Sequence, residues 1–170
     1  MITDALFGGA AALLLVGAWA DLARRIIPDG ISGGVLLAGI GLRLADGAAA
    51  VWLWSAAAAL LTFMALALVW RWGLIGGGDV KLLAASVLLV PPAGVPALLL
   101  WTSLAGGVLA LVYLAAGAVA RRRGHRSGAR PPRTILHRVL RIEAWRLRRH
   151  GGLPYGCAIA AGALIAFICN

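Results

Sequence analysis

Apolar residues in this chain gather into long runs rather than alternating with polar ones. Six runs stand out: Ala5 to Ala20, Ile31 to Ala45, Ala50 to Trp70, Val80 to Val90, Pro96 to Ala120 and Leu153 to Cys169. Such runs predict membrane helices, because about 20 apolar residues are needed to cross a hydrocarbon core about 30 Å thick. The second and fourth are short and are expected to be tilted, partly submerged or lengthened by flanking residues. Turn formers separate the runs at Pro28-Asp29-Gly30, Asp46-Gly47, Gly76-Gly77-Gly78 and Pro91-Pro92-Ala93-Gly94. Gly8, Gly9, Gly33, Gly34, Gly106 and Gly107 lie inside runs, where small residues are expected to let helices approach closely. One long polar stretch, Arg121 to His150, begins as a flexible-looking RRRGHRSGARPPR. It continues with Ile135, Leu136, Val139, Leu140, Ala144 and Leu147 on one face, the pattern of an amphipathic helix lying on a membrane surface. The expected architecture is all-α: a polytopic membrane protein of about six transmembrane helices. It forms a single membrane-embedded domain over residues 1–170, with a basic loop at 121–150.

Composition strengthens that picture. The chain is 62% hydrophobic and 13% charged, with mean hydropathy +0.92, whereas soluble domains run near 45–50% apolar and about 25% charged. No room remains in 170 residues for a separate soluble enzyme domain. The net charge of +10 would suit nucleic acid, but the Lys and Arg residues fall between apolar runs, where they set membrane orientation. The expected surface partner is the lipid bilayer, and no nucleic acid is expected. Cys157 and Cys169 share the last run, separated by about 18 Å of helix, too far to pair with each other. They are expected to be packing residues, and nothing has the spacing of a zinc site or disulfide framework.

The opening LFGGAAALLLVGAWAD imitates a secretory signal, with Ala18, Trp19 and Ala20 as its cleavage site. The charges oppose that reading: Met1 to Asp4 carries no basic residue, and Arg24 and Arg25 follow the apolar stretch. A retained first span with its N-terminus outside is expected. Arg24, Arg25, Arg71, Lys81 and the arginines from Arg121 to Arg149 then lie inside, fifteen of the 16 basic residues, and only Arg43 lies outside.

Acids in or beside a span are costly, so each is a functional candidate until a cheaper explanation is found. Of six acids, Asp4 and Asp46 suit solvated caps, Asp29 suits the N-cap of the second helix, and Glu143 has arginines around it. Asp21 closes the first run and Asp79 opens the fourth. One crossing precedes Asp21 and three precede Asp79, so both belong at one membrane face, the cytoplasmic one. Two carboxylates at one face can share a proton, one acting as base on water and the other as acid toward a carbonyl, if the fold brings them together. Gly76-Gly77-Gly78 before Asp79 suggests backbone angles closed to other residues and close approach of a substrate strand. The same acids also suit a relay in a proton-coupled transporter or channel, and a purely structural subunit of a secretion or pilus assembly is a further alternative. The internal repeat common among transporters is not evident.

GGGDVK, Gly76 to Lys81, resembles the GxGD signature of type IV prepilin peptidases. DLARRIIPD, Asp21 to Asp29, resembles their other aspartate segment, with Asp29 where Asn is usual. LPYGCAIAAGAL, Leu153 to Leu164, is similar to the final span of the short members associated with tight-adherence pili. The resemblance implies an aspartyl endopeptidase that removes the basic leader of pilin precursors, cutting after a glycine. It further implies a bacterial inner-membrane location with the active site at the cytoplasmic face. Asp21 and Asp79 match the catalytic pair, Gly76 and Gly78 the fixed glycines, and Lys81 the following basic residue. No metal, other cofactor or covalent intermediate is required. The cysteine-bearing domain and methylating activity of long prepilin peptidases have no counterpart in this sequence.

Overall fold

The computed structural model describes residues 2–45, 47–122 and 153–169, and folds them into six α-helices with no strand among them. These are α1 (Ile2–Arg24), α2 (Asp29–Ala45), α3 (Ala49–Arg71), α4 (Gly77–Val87), α5 (Val95–Arg122) and α6 (Tyr155–Ile168), with a 3-10 turn at Pro92–Gly94 before α5. The expected loop at 121–150 and its surface helix, with Glu143, fall almost wholly outside the described residues, as does Asp46.

The chain is a membrane protein. Three segments, α1, α3 and the stretch Pro92–Val119, are long and apolar enough to cross a bilayer. Exposed Trp54 and Trp70 near the two ends of α3 are about 24 Å apart along the helix, the spacing of interfacial tryptophans. The short helices are the internal ones. At 11 residues α4 reaches only about 16 Å, half the hydrocarbon thickness, yet every residue from Leu82 to Val90 is buried. The fourth run was expected to be short; the structure adds that its helix stops at Val87, ahead of Pro91, whose ring is incompatible with continued helix. At 14 residues α6 is also shorter than its apolar run, because Pro154 delays its start.

In the bundle, α4 is surrounded by α2, α3 and α6, while α6 packs on α1 and α5 as well. Glycine explains the tightness at particular points. A Cβ on Gly162 of α6 would lie 2.6 Å from Thr102 Cα on α5, and one on Gly39 of α2 would lie 2.6 Å from Leu88 Cβ. The expected close approach at the paired glycines holds for two of the six. Gly34 faces Leu13 and Gly106 faces Tyr155, but Gly8, Gly9, Gly33 and Gly107 have nothing within 4 Å of a Cβ. Adjacent helical residues point about 100° apart, so one neighbouring helix covers one member of a pair and not both. Both cysteines are free, and Cys157 Sγ donates to the Ala18 carbonyl across the α1–α6 seam. The C-terminal end of α1 and the N-terminal ends of α2, α4 and α6 come together at one end of the bundle. At the other end Phe7 stacks on Phe167.

Candidate active site

Asp21 does not end its helix, as the apolar run suggested; α1 continues a turn beyond it and buries it to 6% exposure. A buried carboxylate needs donors, and the backbone N–H of Gly156 supplies one to Asp21 Oδ2 at 2.8 Å. Gly156 lies in the first turn of α6, where backbone N–H groups are unsatisfied within the helix and the dipole favours an anion. A side chain would crowd the carboxylate there: a Cβ on Gly156 would be 3.0 Å from Asp21 Oδ2 and 3.1 Å from both Asp21 Cβ and Ile27 Cδ1.

Past Asp21 the helix ends at Arg25, whose φ of 59° lies in the left-handed region and whose N–H donates to the Asp21 carbonyl. That turn folds the Arg25 guanidinium inward, 5.8 Å from the centre of the Tyr113 ring, and sends buried Ile27 between two glycines. Ile27 is 3.1 Å from the Cβ position of Gly156 and 3.2 Å from that of Gly78. One isoleucine thereby draws the starts of α4 and α6 onto the end of α1.

Asp79 sits in the first turn of α4, beside the backbone of Gly76, and within electrostatic reach of both Asp21 and Arg25. The structure thus brings together the two acids that parity placed at one face. Their surroundings differ. Asp79 lines a cavity of about 260 Å³ with Thr102, Ser103 and Tyr155, against apolar walls that include Leu66 and Leu83. Asp21 lies behind it, against α6.

The glycine run works differently from the expectation that it adopts unusual backbone angles. Gly76 has φ −72° and ψ 142°, which any residue can adopt, and neither Gly77 nor Gly78 has positive φ. What the three positions share is crowding. A Cβ would meet Asp79 Oδ2 at 3.0 Å from Gly76, Trp70 Nε1 at 3.3 Å from Gly77 and Ile27 Cβ at 3.2 Å from Gly78. The left-handed glycine of this connection is Gly73, φ 73°, which ends α3.

Lys81 is not part of this cluster. Its Nζ donates to Asp29 Oδ1 at 2.8 Å, an exposed ion pair on a different face of α4. Asp29, expected as an N-cap, is the first residue of α2 and turns its carboxylate to that lysine. Three further residues at the site escaped the sequence reading. Gly156 and Tyr155 were visible only as part of the last-span motif, and Arg25 counted only as an orienting charge. The positive φ that folds Arg25 inward leaves no mark on composition or periodicity.

Comparison with known proteins adds one finding. The family model described as the type IV leader peptidase family matches residues 9–111, more than half of the chain and including Asp21 and Asp79. No curated protein and no solved structure matches.

Proposed function

Since the chain belongs to the type IV leader peptidase family, we propose that it is an intramembrane aspartyl endopeptidase that removes the basic leader of pilin-like precursors. Cleavage follows a glycine and takes place at the cytoplasmic face of the inner membrane, with Asp21 and Asp79 as the acid pair. The observation that carries this reading is the convergence of the two acids. They come from helices far apart in sequence, lie within electrostatic reach of each other, and one of them lines a cavity.

In this mechanism the two carboxyl groups share one proton. The ionised carboxylate takes a proton from water as its oxygen attacks the scissile carbonyl carbon, and the protonated partner gives its proton to the carbonyl oxygen. As the tetrahedral species collapses the C–N bond breaks, the departing amine takes up the proton gained from water, and one hydroxyl returns its proton to the carboxylate that had protonated the carbonyl oxygen, leaving a carboxylic acid and the dyad with its one shared proton. Asp79, on the cavity wall, is the member that meets water and substrate. The Gly156 amide holds Asp21 in place behind it. Asp21→Asn and Asp79→Asn should each abolish processing of a prepilin-like precursor in reconstituted membranes, with the double variant scarcely worse than either single one. Asp29→Asn, Asp46→Asn and Glu143→Gln should retain activity, Asp29→Asn especially because it restores the residue usual in the family. Full processing by either single variant removes that residue from the mechanism and favours a proton relay instead.

A further inference from the structure

On the side of α4 away from Asp79, helices α2, α3 and α4 leave a groove of about 560 Å³. It exists because α3 packs on α4 and only lightly on α2. Asp29, Ser32, Gly33, Leu36 and Ile40 line it from α2, spaced three, four or seven residues apart so that they form one stripe. From Asp29 to Ile40 the stripe runs about 16 Å along the helix. Lys81 and Ala85 of α4, Leu88 just past its end, and α3 residues including Phe63 form the other walls. Two features give the groove a polar end. The Lys81–Asp29 ion pair stands at its mouth, with side chains 51% and 77% exposed. One turn further in is buried Ser32, whose hydroxyl oxygen has no hydrogen-bond partner.

We propose that this groove binds one phospholipid with a zwitterionic phosphoethanolamine headgroup, the phosphate against Lys81, the ammonium against Asp29, and one acyl chain along the apolar walls. Charge complementarity supports this occupant: the mouth offers one cation and one anion side by side, and the headgroup offers the same two charges in reverse. An ion pair this exposed is weakly held, so a headgroup can insert between its members. Ser32 lies at the depth of the ester linkages, where its hydroxyl can donate to a carbonyl. A single acyl chain can follow the length of the stripe from Asp29 to Ile40, and a substrate helix is the competing occupant that the test separates. The assignment does not depend on the proposed peptidase chemistry.

The test is native mass spectrometry of the full chain, released from mild detergent containing palmitoyl-oleoyl phosphatidylethanolamine, phosphatidylglycerol or the corresponding diacylglycerol. One phosphatidylethanolamine should be retained per chain, with the other two retained several-fold less. Gly33→Leu fills the groove at a position where a Cβ meets nothing within 4 Å, so it should fold normally and retain the lipid roughly tenfold less. Asp29→Asn should erase the preference over phosphatidylglycerol, and Lys81→Met the preference over diacylglycerol. Leu111→Ala, on the exposed face of α5, should retain lipid as the unaltered chain does. Undiminished retention by folded Gly33→Leu overturns the proposal, as does equal retention of phosphatidylglycerol. Capture of a prepilin-like substrate by a photo-cross-linker at Phe63 overturns it too.

Discussion

Replacing Gly156 by alanine tests the acid pair without touching either acid. The added methyl would lie 3.0 Å from Asp21 Oδ2 and 3.1 Å from Asp21 Cβ and Ile27 Cδ1. Ordinary carbon–carbon contacts lie at about 3.5–4.0 Å and carbon–oxygen contacts somewhat shorter, so the carboxylate must withdraw by a few tenths of an ångström. That movement stretches the 2.8 Å hydrogen bond from the Gly156 amide, a charge-assisted bond of the class worth about 1.5–3 kcal/mol. At about 1.4 kcal/mol per tenfold, its loss together with misplacement of the carboxylate should lower kcat by roughly 10- to 100-fold. The assay is initial-rate processing of a prepilin-like precursor in proteoliposomes across substrate concentrations, with insertion and Tm measured on the same preparations. KM should change little, because neither Gly156 nor Asp21 is among the residues that line the cavity with Asp79. Gly107→Ala, where the added methyl meets nothing within 4 Å, should be as active as the unaltered chain. If folded, inserted Gly156→Ala cleaves at the normal rate, Asp21 either is not held by that amide or takes no part in the reaction.

Three further outcomes are expected. Gly162→Val should destabilise the protein by about 1–3 kcal/mol or prevent folding, since its side chain would run into the Thr102 backbone on α5; a Tm equal to that of the unaltered chain would contradict the packing described for that seam. Reporter fusions should place the N-terminus and Asn170 outside and Arg121 to His150 in the cytoplasm, and an externally accessible site at Arg126 would overturn this orientation. Processing should survive chelators and the combined Cys157→Ser and Cys169→Ser substitutions, whereas inhibition by chelation that added zinc reverses would point to a different reaction class.

The run pattern by itself determined the class of fold, and it placed six helices at nearly their observed positions. This was possible because bilayer thickness imposes a length on apolar segments, and turn formers such as Pro91-Pro92 mark where they end. Counting crossings also put Asp21 and Asp79 at one end of the bundle, since that argument needs topology and no packing. It could not say whether the acids were neighbours. Tertiary structure decided that through contacts between residues distant in the chain: Ile27 wedged between Gly78 and Gly156, and an α6 amide aimed at an α1 carboxylate. It also changed the reason for the glycines before Asp79. The sequence suggested unusual backbone angles, while the fold uses ordinary angles and favours the missing side chains, because Asp79, Trp70 and Ile27 come within 3.0–3.3 Å of where they would stand. The fold also sent Lys81 to Asp29, separating a charge that adjoins Asp79 in sequence from the acid pair in space. Helical geometry accounts for this, since two residues apart on a helix point about 200° from each other and therefore face different neighbours.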